Sequence, residues 1–185
     1  KGLKYAIEAF AGLARDFPTV RYRILGDGPL YDGLYELATD HGVADRIDFT
    51  GAISQDEVKS ALEEATLMVL PCVRAASGDL DGAPLALQEA MVAGVPVVAT
   101  TVASIPELIT TPAEGALVAP HDSEALEAQI RRLLSDEPTR RAMSRAGTAR
   151  VLECFNIQTE ATKLAAVWED VLAESDRTRA LLTQT

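Results

Sequence analysis

The stretch DGAPLALQEAM, residues 81–91, sets Asp81 and Gly82 ahead of a helix-forming run and places a second carboxylate, Glu89, eight positions after the first. Gly82 frees the backbone and Pro84 presets a first helical turn, so the amide N–H groups of that turn point outward as donors for an anion such as a phosphate. Glu89 lies more than a turn further in, among alanines and leucines, where an unpaired carboxylate is costly. The two hydroxyls of a ribose would satisfy it, and so would a lysine or water; spacing leaves these open. GDGP (26–29) is a second candidate. Gly26 and Gly28 permit backbone conformations closed to other residues and Pro29 suits the first turn of a helix, which fits a phosphate-approaching turn and a plain strand-to-helix connection equally well.

Other residues invite chemistry and have simpler uses. Asp79 and Asp81, in DLD, could hold a hard cation, but a solvated loop explains them better. Ser54 to Glu57 and Ser104 to Glu107 both fit capping boxes, in which the acid serves the N–H groups of its own helix. His41 and His121 flank helix ends with no second ligand at metal spacing and no evident partner, which makes them surface residues. Cys72 and Cys154 fall outside any C-x-x-C pattern and indicate neither a disulfide framework nor a thiolate metal site.

The elements that must position these residues alternate along the whole chain. Leu3, Ile7, Phe10 and Ala14 recur at helical spacing, and VRYRILG (20–26) reads as a strand. Next come a helix from about Leu30 to His41, a strand at 46–51, a helix from Ser54 to Glu64 and a strand at 67–71. A polar loop reaches Gly82, the helix carrying Glu89 follows, and VPVVAT (95–100) has the β-branched run of a buried strand. A short helix at SIPELI and a strand at 115–120 lead to three helices, near Ser123–Ser135, Pro138–Glu153 and Ile157–Ala173 or beyond. Ile157, Ala161, Leu164, Trp168 and Val171 step by four, three, four and three, which predicts one buried stripe with Trp168 as a packing anchor. The pattern predicts a three-layer α/β/α domain with a parallel sheet. Because such a sheet normally leads with a strand and this chain opens on a helix, an upstream strand is expected too.

With 48% hydrophobic residues, the 185-residue chain can bury a continuous core, and one domain is expected. Its 28 acidic against 17 basic residues give a net charge of -11, which disfavours nucleic acid as a partner. The stretch AMVAGVPVVA is too short to span a bilayer.

DGAPLALQEAMVAGVPVVATTVASIPELI, preceded by KGL, GDGP and FTGAIS, resembles the C-terminal domain of a retaining family 4 glycosyltransferase, over Lys1 to about Asn156. Its strongest motif is the family's Glu-x7-Glu element, here Asp81 to Glu89. The Pro after DGA, with PLALQEAM and SIPELI, is similar to members that build exopolysaccharides of the colanic acid or amylovoran type. The resemblance implies a Rossmann-like domain, the C-terminal half of the GT-B architecture, that binds a UDP- or GDP-sugar donor without a metal. Residues 157–185 would brace an N-terminal domain that holds a glycan or lipid-linked acceptor, and the protein would be cytoplasmic or peripheral at the inner membrane.

By the same resemblance, Glu89 would bind the ribose hydroxyls, and Lys1 would contact the diphosphate and balance charge on the leaving phosphate. Asp81 would act at the donor sugar and, with Lys1, serve catalysis. Gly82, Ala83 and Leu85 would lie against phosphate and sugar, Gly51 and Ile53 would hold the base by backbone groups, and Gly26 and Gly28 would line the cleft. The sequence departs from the family in three places. Asp81 stands where Glu is usual, VAS (102–104) replaces a glycine pair, and the diphosphate-binding Arg expected just before Lys1 falls outside the chain. A nucleotide-sugar epimerase or phosphorylase of the same architecture, and a non-catalytic nucleotide-binding scaffold, are the competing expectations.

Overall fold

The computed structural model describes residues 1–74, 78 and 85–182, the last ten of them by backbone alone. Helices and strands alternate as the sequence predicts. In chain order they are α1 (Leu3–Ala14), β1 (Tyr22–Ile24), α2 (Tyr31–Asp40), a 3-10 turn (Ala44–Arg46), β2 (Ile47–Phe49), α3 (Gln55–Glu64) and β3 (Met68–Leu70). Then follow α4 (Leu85–Val92), β4 (Val97–Thr100), α5 (Ile105–Leu108), β5 (Ala116–Val118), α6 (Ser123–Ser135), α7 (Glu137–Cys154) and α8 (Ile157–Leu182). Every named strand pair is parallel. β1 pairs with β2, and β3, β4 and β5 form a second sheet in that order; no pairing joins β1 to β3 among the described residues.

Layering follows from which side chains are apolar. All four residues of β4 are buried, as a strand covered on both faces requires. Val97 and Ala99 pack with Leu87, Ala90 and Met91 of α4, Ile105 and Leu108 of α5 and Val151 of α7. Val98 faces the other way, toward Ala6, Ala9 and Leu13 of α1 and Leu126, Ile130 and Leu133 of α6. On that side α1 also turns Ile7 and Phe10 toward Ile24, Ala38, Val43 and Ile47, the core of the β1–β2 sheet. One helix thus supplies apolar side chains to both sheets.

Local devices fix the ends of elements. Ser54 and Glu57 form the predicted capping box, the Ser54 hydroxyl accepting from the Glu57 N–H and the Glu57 carboxylate accepting from the Ser54 N–H. Asp122 and Asp136 cap α6 and α7 by accepting from the N–H groups of Ala125 and Thr139. Arg46 donates to the carbonyls of Ala14, Phe17 and Val20, pinning the connection between α1 and β1.

Several expectations are corrected. Ser104 precedes α5 but its side chain makes no capping bond, because the four-residue helix enters through a backbone turn rather than an extended cap residue. Pro29 lies before the cap residue Leu30 rather than in the first turn of α2. His121 has a partner, since its Nδ1 lies 2.6 Å from the Tyr5 hydroxyl with the two rings edge to face. The stripe on α8 is not buried: Ile157, Leu164, Trp168 and Val171 are each more than half exposed, Trp168 at 60%, because α8 packs chiefly against α7 and turns this stripe to solvent.

Candidate functional site

In a parallel sheet all strands end on one edge, and ligands of open α/β folds bind beyond that edge. Most of the predicted site residues that the structure describes come to it. Gly2 has a φ of 71°, and a Cβ placed on it would lie 2.0 Å from the carbonyl oxygen of Pro71. The start of α1 therefore sits directly on the peptide that follows β3, and this brings the exposed Lys1 to the edge. Beneath it, the Thr100 hydroxyl at the end of β4 donates a buried hydrogen bond of 2.6 Å to the Cys72 carbonyl. The root of the loop from β3 to α4 is thereby tied to the neighbouring strand.

α4 carries two of the predicted residues. Leu85 opens the helix and is 66% exposed, while Leu87, Ala90 and Met91 are buried. Leu85 and Glu89, one turn apart, share a face. The Glu89 carboxylate is half-buried and makes no hydrogen bond or ion pair among the described residues. Of the three ways to satisfy it that the sequence leaves open, a lysine partner is therefore removed among these residues. Asp81, Gly82, Ala83 and Pro84, like Asp79, lie outside the described residues.

The glycine pair at the other sheet meets directly. The Gly26 N–H donates to the Gly51 carbonyl at 3.0 Å in an isolated antiparallel bridge, with φ angles of 116° and 67° at the two residues. Both angles are in the region that favours glycine. Gly28 is not at such an angle, and a side chain there would meet open space, so the conformational argument holds for Gly26 and not for Gly28. The Gly28 N–H is turned to the Asp27 carboxylate at 2.7 Å. Ile53 is half-buried two residues past Gly51, just before the Ser54 cap. Glu57 belongs to that cap: hydrogen bonds from the Ser54 N–H and hydroxyl hold its carboxyl below the ordinary glutamate value.

Two features of this edge were not singled out in the sequence. Tyr31 and Tyr35, at the start of α2, are 41% and 48% exposed, their rings nearly parallel at 6.4 Å and each against Phe49. Their four-residue spacing was the available signal. The second is the Ser104 hydroxyl just beyond β4, which is buried without a hydrogen-bond partner. No spacing announces it, since the sequence offers it a cap that the backbone then declines. Glu107 is exposed, and its carbonyl accepts from Arg150 at 2.8 Å. Among the described residues no three His, Cys, Asp or Glu side chains gather closely enough to hold a metal ion.

Residues 1–150 match the Glycosyl transferases group 1 family. The chain belongs to that family. Its fold is that of the C-terminal domain of a GT-B glycosyltransferase. This group 1 chain is 36% identical over 172 residues to a Salmonella typhimurium protein named as a colanic acid biosynthesis glycosyltransferase, WcaL, covering 92% of the chain and 42% of the relative. It is 37% identical to the amylovoran biosynthesis glycosyltransferase AmsK of Erwinia amylovora, covering 91% and 42%. The group 1 chain therefore spans less than half the length of these curated relatives. Among solved structures, the C-terminal domain of a group 1 glycosyl transferase (LpcC) from Francisella tularensis superposes with a TM-score of 0.75 at 24% identity, covering 85% of this chain and 80% of that one. Anabaena HepE in complex with UDP gives 0.80 at 22% identity, covering 92% and 45%.

Proposed function

We propose that this domain binds the nucleotide-sugar donor of a retaining glycosyltransferase that moves a sugar from UDP or GDP to a glycan or lipid-linked acceptor in polysaccharide biosynthesis. The observation that carries the reading is Glu89: a half-buried carboxylate without a partner among the described residues, on the helix that opens over the strand ends of a group 1 domain. A ribose diol supplies the donors it needs. The names of WcaL and AmsK support the polysaccharide setting, and HepE, a chain of the same fold, was solved in complex with UDP.

In this reading the diphosphate lies between Lys1 and two backbone amides, that of Ala83 and that of Leu85 at the start of α4, with Gly82 allowing close approach. Charge grows on the leaving phosphate as the glycosidic bond breaks, and cation and amides together stabilise it. Asp81 takes a hydroxyl of the donor sugar, directly or through one water, being a methylene shorter than the usual Glu. Gly51 and Ile53 hold the base by backbone groups, and Gly26 with Gly28 lines the cleft. No protein nucleophile and no metal takes part; chelation with EDTA is expected to leave transfer unchanged.

The acceptor would belong to a further, N-terminal domain of the whole protein, braced by the exposed stripe of α8. The edges of β1 and β3 that are unpaired among the described residues, on strands whose faces α1 packs against, would take one more parallel strand leading into Lys1. No helix among the described residues is long and apolar enough to cross a membrane. We place the whole protein in the cytoplasm, peripheral at the inner membrane where its acceptor is lipid-linked. Calorimetry of the 185-residue chain with UDP, GDP and their sugars tests the core of the reading: saturable binding by one nucleotide, without transfer, is expected. No binding at millimolar nucleotide by a folded chain would overturn it.

A further inference from the structure

At the opposite end of the strands, where β3 and β4 begin, a cleft of about 420 Å³ is lined by Arg140, Arg141, Arg145, Ser144, Glu137 and Thr66 among others. Three guanidinium groups there face one carboxylate, in a chain whose net charge is -11. Their local uses do not exhaust them. Arg140 spends Nη1 on the carbonyls of Leu133 and Leu134 at 2.6 and 2.9 Å, closing the C-terminal end of α6, and this fixes a half-buried guanidinium while its other N–H groups remain uncommitted among the described residues. Arg141 pairs with Glu137 one turn earlier on α7. Arg145 is exposed and makes no ion pair among the described residues.

Asp136, the acid just before Glu137 in sequence, is already occupied. It accepts from the N–H and hydroxyl of Thr139 as the cap of α7, and these bonds, followed by the charges of Arg132 and Arg140, hold its carboxyl below the usual aspartate value. Arg140 stands in the first turn of α7, at the positive end of the helix dipole, which adds to the charge excess there; Arg141 and Arg145 follow in the next two turns. The hydroxyls of Ser144 and Thr66 line the same cleft and have no protein hydrogen-bond partner among the described residues. A space of this size falls within the range of small-ligand sites, and a planar guanidinium matches the paired oxygens of a phosphate.

We propose that this cleft binds a phosphate group, held by Arg140, Arg141 and Arg145 with Ser144 and Thr66 as hydroxyl partners. It is distinct from the proposed donor site, which lies beyond the other ends of the same parallel strands, and it does not rest on that reading. The same chemistry is offered by a soluble phosphomonoester and by the headgroup of an anionic phospholipid.

The test uses the full-length protein, the double variant R141A/R145A and the control R131A, whose arginine lies on α6 outside the cleft and pairs with Asp16 and Glu127. Arg140 is left in place because it closes α6. One arm measures glycerol 3-phosphate by calorimetry, and the other sedimentation with phosphatidylglycerol–phosphatidylcholine vesicles, both at about 0.1 M salt, where long-range attraction is screened. Saturable binding in either arm, weakened at least about tenfold in the double variant and unchanged in R131A, is expected, and the arm that responds identifies the source. Absence of binding in both arms, or equal binding by the double variant, would overturn the proposal.

Discussion

Glu89 illustrates how far single residues carry the functional reading. Its spacing from Asp81 and its apolar neighbours marked it in the sequence, and the structure leaves its carboxylate half-buried without a protein partner among the described residues. Replacing it with alanine should therefore cost the nucleotide and not the fold. Affinity is expected to fall by about ten- to a hundredfold, as for hydrogen bonds to a charged group, with the circular dichroism spectrum unchanged. Glu114 is the opposite case, a carboxylate used wholly by the fold. Partial burial raises its pKa, but the N–H groups of Thr110 and Thr111, the Thr110 hydroxyl and the charge of Arg150 outweigh this and leave it lowered. A group depressed in the folded state contributes fully above its ordinary value of 4.5 and loses that contribution as pH falls through the folded value. Urea titrations of Glu114→Gln against the parent chain should thus differ at neutral pH and converge in acid. The Tyr5–His121 contact was not legible in the sequence, because its partners lie 116 positions apart and meet only after β5 is placed, whereas the Glu114 bonds to Thr110 and Thr111 are local and belong to a turn with no apolar period to announce it.

Elements were more legible than contacts. Helical stripes and β-branched runs gave the α-helices and strands of the described residues in order, though not the 3-10 turn at Ala44–Arg46, because burial on one or both faces dictates the period of apolar residues. Ends were less certain where a cap residue had a competing backbone turn, as Ser54 and Ser104 show: the same Ser-x-x-Glu spacing forms a box on an extended residue and none on a turn. Ser54→Ala should accordingly cost about 1 kcal/mol in chemical denaturation, and Ser104→Ala, which removes a hydroxyl without a partner, should cost nothing or stabilise. At the start of α1 the constraint is steric. Gly2→Ala sets a Cβ against the Pro71 carbonyl at a left-handed angle, and a loss of about 2 kcal/mol or more is expected, together with displacement of Lys1.

For the molecule as a whole, apolar periodicity tells that a face will be covered but not by what. That is why α8 was expected to bury its stripe and instead presents Trp168 at 60% exposure. The two open strand edges make a similar point, and hydrogen exchange can decide it. The amides of β1 and β3 that make no ladder bond should exchange rapidly in the 185-residue chain and be protected in the full-length protein if a parallel strand enters between them. A different consequence follows from the way α1 divides its side chains, Ile7 and Phe10 toward one sheet and Ala6, Ala9 and Leu13 toward the other. Neither half owns a complete interior, so the halves must melt together. The domain should lose its structure in a single concerted step, and the same shared helix that enforces this also carries Lys1 at its tip.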